Sequence, residues 1–265
     1  MAGRGDGVPD DGGADCDGLD GAVRGRAKRG PGVGWSWTLA VVLAGCGGLA
    51  GQEADAANEF WPEFDVFVKL NQNTRLFGMY SATRPQSLGT YADGQTGLHL
   101  DLFGVRALRQ WWAKDNADES RSKSLLVRMG YVFSRPKNNS GSSLEHMAVT
   151  EGTARFHLPG ELLLSDRNRL ELRWVEGAPR HRYRNRLKLE RTFQAGRFQL
   201  TPYAHGEVFY DLRNREWSRV RYAAGGEWAI TKQFVFEAYY LRQNSWGSTP
   251  RFVNATGLAL QFYLR

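Results

Sequence analysis

The feature that most constrains this chain is a two-residue alternation of apolar and polar side chains running from Asn58 to the C-terminus. Near the end, Leu258, Leu260, Phe262 and Leu264 share one parity, and Gly257, Ala259, Gln261 and Tyr263 the other. Upstream, Val220, Tyr222, Trp228 and Ile230 oppose Arg219, Arg221 and Glu227, and Leu170, Leu172 and Trp174 oppose Arg169, Glu171 and Arg173. Successive side chains of a strand point to opposite faces, so a period of two predicts strands, and the 3.6-residue period of an amphipathic helix is hard to find. Eleven segments alternate, near 64–70, 75–83, 95–105, 124–134, 146–158, 168–175, 182–193, 199–211, 217–230, 233–242 and 253–264.

Links between the later segments alternate in length. Those around 193–199 and 230–233 are short, and those at 175–182, 211–217 and 242–253 are longer and more polar. Short turns at one end and long loops at the other are the pattern of an outer-membrane barrel. The expected fold class is therefore all-β: a single antiparallel transmembrane β-barrel of ten to twelve strands. Twelve are favoured, because ends that share one side of a membrane require an even number. The further strand is sought near 106–122, although 111–123 is polar enough for a loop or short helix. Alternatively, the turn at 71–74 over-splits the first hairpin.

A soluble barrel points its apolar face inward, whereas a membrane barrel points it at lipid and lines its bore with the polar set. Trp174, Tyr183, Trp217, Trp228, Tyr239, Tyr240 and Trp246 recur near strand ends, as an interfacial girdle requires. The other face mixes opposite charges: Glu151, Arg155, Arg169, Glu171, Arg173, Arg184, Arg186, Lys188, Glu190, His205, Glu207, Arg221, Glu227 and Glu237 form a lumen-facing ladder. Arginine pairs in fork geometry with carboxylates across neighbouring strands. The ladder reads as an ion-paired plug in preference to an anion-attracting pore lining, because a barrel this size has little spare bore.

The N-terminus differs. Arg24, Arg26, Lys28 and Arg29 precede an apolar stretch at 33–49, and small residues follow with Ala54-Asp55-Ala56. This is the order of a secretory signal peptide, cleaved after Ala56. Residues 1–56 thus divide into a disordered, Gly- and Asp-rich extension and the signal, and 57–265 form the barrel. Leu43-Ala44-Gly45-Cys46 resembles the lipobox of bacterial lipoproteins, so a lipid anchor at Cys46 is the alternative. Cys16 and Cys46 are the two cysteines, which leaves none for a disulfide or a thiolate metal site in the barrel. Mean hydropathy is −0.50, unlike that of a helical membrane protein. Residues 1–56 hold five of the 35 basic and eight of the 28 acidic side chains, so the remainder carries an excess of ten positive charges. These are dispersed along the strands without a block of like charge, which argues against a nucleic-acid partner.

The C-terminal strand resembles the assembly signal of outer-membrane barrels at Gly257, Leu260 and Phe262, and departs from it at Ala255 and Arg265. Larger segments carry a family resemblance: 164–173 (LSDRNRLELR), 183–191 (YRNRLKLER), 201–203 (TPY), 207–211 (EVFYD) and 239–244 (YYLRQN). Through these the region resembles a bacterial family of outer-membrane β-barrel proteins, the domain-of-unknown-function 2490 family. The resemblance implies the barrel and transfers no activity.

No catalytic motif emerges. Outer-membrane phospholipases place a histidine two residues before a serine, and none of His99, His146, His157, His181 and His205 has that neighbour. No His/Asp/Glu set has metal-ligand spacing, and no cofactor is expected. The reading is a non-enzymatic barrel, structural or a narrow channel. Its expected partners are outer-membrane lipid, lipopolysaccharide and, during insertion, the barrel-assembly machinery. The alternatives are a barrel enzyme acting on lipid or lipopolysaccharide, with His205 and Glu207 as candidates, and a soluble, lipid-anchored ligand-binding barrel. The oligomeric state stays open.

Overall fold

A computed structural model of the chain describes residues 56–86, 93–104, 118–135, 137–138, 141–196, 198–247 and 252–265. The signal segment and Cys46 lie outside the described residues, as do 105–117 of the stretch where a further strand was sought. Eleven strands form the barrel: β1 (Ala56–Lys69), β2 (Thr74–Pro85), β3 (Asp93–Phe103), β4 (Leu125–Ser134), β5 (Glu145–Leu158), β6 (Leu162–Val175), β7 (Arg182–Arg191), β8 (Phe198–Asp211), β9 (Glu216–Ala229), β10 (Phe234–Ser245) and β11 (Phe252–Leu264). Short ladders at Lys137–Asn138 with Gly141–Ser142, and at Ala178–Pro179, extend the hairpins at one end. Phe193–Ala195 pairs with the start of β8 at the other.

Each strand pairs antiparallel with the next, and β1 closes the ring on β11 in parallel, with Ala56 opposite Phe252 and Val68 opposite Leu264. The alternating segments of the sequence correspond one for one to these strands. Eleven lies within the expected ten to twelve, one short of the favoured twelve, and the ring is antiparallel except for one parallel seam. The parity rule assumed that the first and last strands begin at opposite ends, but Ala56 and Phe252 begin at the same end. The turn at 71–74 is real: Leu70 and Asn71 donate backbone N–H bonds to the Thr74 carbonyl.

β1 starts eight residues before its expected position, because Glu59, Trp61, Glu63 and Asp65 continue the inward parity. Pro62 has no N–H to give, and it sits in a gap of the β1–β2 ladder between the Phe60–Arg84 and Glu63–Ser81 pairs.

The two faces are inverted relative to a water-soluble protein. Leu98, Phe156, Leu187, Tyr222 and Phe198 are among many large apolar side chains exposed on the outside. Asp101 and Glu171 are completely buried, and Glu207 is 1% exposed. Closure gives every interior strand group a neighbour to bond, which an apolar surrounding demands. Apolar packing inside is local: Phe67 stacks between Phe77 and Tyr263, with centroids 4.6 and 4.7 Å away, and Val132, Met147 and Val149 form a second cluster. Tyr239, expected in the outer girdle, points inward with Leu241 and lies over Gly225 and Gly257. A Cβ on Gly257 would fall 1.9 Å from its ring, so only glycine leaves it room.

Candidate functional site: an ion-paired lumen

Every residue of the charge ladder lies on the inward parity of its strand. The structure gathers the ladder into nodes, each a buried carboxylate shared by several cations. Glu207 accepts from Arg184 at 2.8 Å, Arg167 at 2.8 Å and Arg186 at 3.3 Å, with Arg221 at 3.6 Å. Glu171 takes Arg182 at 2.6 Å, Arg184 at 2.7 Å and Arg169 at 3.1 Å. Arg184 thus bridges the two nodes, which the parity of β6, β7 and β8 places side by side. Glu151 lies 3.6 Å from Arg167 and 3.8 Å from Arg169, and Glu145 pairs with Arg173. Lys188 joins Glu190 and Glu227, and Glu237 accepts from Tyr203 and Gln261.

A second part of the network went unread in the sequence. Asp101 on β3 accepts from Arg75 on β2 and Arg128 on β4. The alternation there was masked because Phe67, Phe77 and Leu126 share the inward parity with Asp65, Arg75 and Arg128, so both faces look apolar. Arg167 fell one residue before the strand expected at 168–175.

The stretch that links β3 to β4 supplies the third part. Its described portion is a short 3-10 helix, Glu119–Ser122, capped by the Asp118 side chain on the Ser120 N–H. This agrees with the short-helix alternative for that portion. Arg121 enters the bore and donates to Glu190 at 2.7 Å and Glu227 at 2.5 Å. Asp118 pairs with Arg75 at 2.9 Å, and Arg155 donates to the Ser120 carbonyl at 3.0 Å. The segment is therefore tied to strands on several sides of the ring. Burial alone would raise the Asp118 carboxyl, but Arg75, Arg121 and Arg155 outweigh it and hold it well below the ordinary carboxylate range.

Among the described contacts, no hydrogen bond joins the pair considered for catalysis. His205 and Glu207 share the lumen, yet Glu207 is engaged by guanidinium groups while His205 stacks on Tyr203 at 6.0 Å. A general base needs its carboxylate or imidazole within hydrogen-bond reach of its partner. Among the described residues no group of three or more His, Cys, Asp or Glu is placed to hold a metal ion, and no helix is long and apolar enough to cross a membrane.

Comparison with known proteins adds the following. The profile of a family described as "Protein of unknown function (DUF2490)" matches residues 59–254. No curated protein matches in sequence. Among solved structures, the β domain of the Bordetella autotransporter BrkA is 16% identical, with 71% of this chain and 82% of that one covered and a TM-score of 0.40. OmpT, an outer-membrane protein of Vibrio cholerae folded in vitro, is 13% identical, with 66% and 76% covered and a TM-score of 0.29.

Proposed function

Since this chain belongs to the DUF2490 family, whose description assigns no activity, we propose from its own geometry that it is a bacterial outer-membrane barrel with a closed, ion-paired lumen and a non-enzymatic role. One observation carries this reading: the outside is apolar and the inside charged. In water that arrangement would strand Leu98, Phe156 and Phe198 in solvent while burying Asp101, Glu171 and Glu207. In a bilayer both faces are satisfied. Strands of ten to fourteen residues meet the length a tilted spanning strand needs.

The short turns at 70–73, 159–161 and 230–233 share the end where β11 finishes, together with the 104–124 link whose Arg121 enters the bore, and the links 86–92, 135–144, 176–181, 212–215 and 246–251 lie at the other. The end with these three turns is assigned to the periplasm, the links at the opposite end to the exterior, and the outward belt to lipid and lipopolysaccharide. Insertion falls to the barrel-assembly machinery, after export by the N-terminal signal.

The lumen is read as a plug because its cations and anions are consumed by one another and the Arg121 segment enters it. A structural or assembly role follows in preference to free conduction. The test is extraction and gel mobility of the membrane-bound protein, followed by planar-bilayer recording. Resistance to urea washing, a mobility shift on boiling and no steady conductance agree with the proposal. Release by urea without a shift would end the membrane reading and favour a soluble, lipid-anchored barrel. Steady wild-type current would end the closed-lumen reading.

A further inference from the structure

The lipid-facing belt is interrupted on β6 and β7. On β6 the outward parity runs Leu162, Leu164, Asp166, Asn168, Leu170, Leu172, Trp174, so a carboxylate and an amide interrupt an otherwise apolar series. The same break occurs on β7, where Asn185 stands opposite Asn168 and is followed outward by Leu187 and Leu189. Among the described residues, Asp166 is the one acidic side chain placed on the outward face of a barrel strand away from either rim.

These groups bond to one another. Asn185 Nδ2 donates to Asp166 Oδ1 at 2.7 Å and to Asn168 Oδ1 at 3.1 Å, and the Tyr183 hydroxyl donates to Asn168 Oδ1 at 2.5 Å. The bonds leave capacity unused: the Asn168 amide can still donate, and Asn185 Oδ1 and the second Asp166 oxygen can still accept. Hydrocarbon can satisfy none of it, and a carboxylate facing lipid within the belt is destabilising. Leu170, Leu172 and Trp174 separate the cluster from the loop end by about 20 Å of strand, and Leu162 and Leu164 from the turn end by about 13 Å, at roughly 3.3 Å per residue.

The surroundings are low. Gly152 on β5 pairs with Asn168, Ala154 with Asp166, and Gly206 on β8 with Leu187. A Cβ at Gly152 would touch nothing within 4 Å. Small residues around a polar cluster let another backbone approach closely.

We propose that the outward face of β5–β8 is an intramembrane interface between two copies of this chain, related by a two-fold axis through the Asp166–Asn168–Asn185 cluster. A second copy fits because the unused capacity is self-complementary. The Asn168 donors of one copy meet the Asn185 and Asp166 acceptors of the other, and the two-fold repeats the contact. This inference rests on the membrane reading above.

The test is cross-linking with a flexible bifunctional thiol reagent, able to span the two copies of β5 on either side of the two-fold, in native membranes and in lipid vesicles of a Gly152→Cys variant. Controls are the parent chain and Tyr80→Cys on the outward face of β2. Residues 57–265 contain no cysteine of their own. The expected result is a species of twice the chain mass with Gly152→Cys alone. Combining Asp166→Leu, Asn168→Leu and Asn185→Leu should reduce it about tenfold or more, the loss expected from several intramembrane hydrogen bonds, while the mobility shift on boiling persists. A heat-shifted protein without that species, an adduct of some other mass, or a dimer indifferent to the triple substitution overturns the proposal. If the parent itself shows no heat shift, the membrane reading has failed and the interface falls with it.

Discussion

At Glu207, four guanidinium groups converge on one buried carboxylate. Removing a shared anion leaves several buried cations uncompensated, a change that costs about 3–5 kcal/mol for a broken buried pair. Glu207→Leu is therefore expected to lower the urea midpoint of the folded, heat-shifted species steeply, whereas Glu161→Ala, in an exposed pair with Arg191, should leave it nearly unchanged. Equal midpoints for the two variants would show that the node is not structural. Gly257 gives a second residue-scale expectation. Gly257→Ala drives a methyl into the Tyr239 ring and should cut the yield of folded barrel, and adding Tyr239→Ala should restore much of it. Failure of that rescue would return Gly257 to the terminal assembly signal, the role its place in the sequence suggested. The difference between signal and packing could not be read locally, because it depends on which side chain the neighbouring strand lays across the glycine.

The element that sequence periodicity could not supply is the Arg121 segment. Strands announce themselves by alternation, and each of the eleven was visible; a single turn of 3-10 helix has no period to detect. Its position follows from partners far away in sequence, Glu190 and Glu227, whose ladder with Lys188 was legible while their second cation was not. Arg121→Ala removes that contact and is expected to turn a silent barrel into one with intermittent small conductance in planar bilayers. Unaltered silence would mean that the strand-borne side chains close the bore by themselves. Asp118 adds a pH expectation. Its carboxyl is depressed in the folded protein, so its contribution is fully present above the ordinary value of 3.8 and is lost only as pH falls through the lower folded value. The tether to Arg75 should survive at pH 3.8, and Asp118→Asn should remove pH dependence from any opening seen below it. Opening of the parent at pH 5 would contradict this assignment.

For the molecule as a whole, the odd ring has a topological consequence. In an even, all-antiparallel barrel the last strand finishes beside the start of the first, and the two can be joined by a tight turn. Here Leu264 finishes beside Val68, while Ala56 lies beside Phe252 at the far rim. A circular permutant that fuses β11 to β1 would need a linker running the full height of the wall, through a bore already filled with side chains. The order in which these strands follow one another is thus locked by geometry, and new chain openings belong in the loops between consecutive strands, away from the seam.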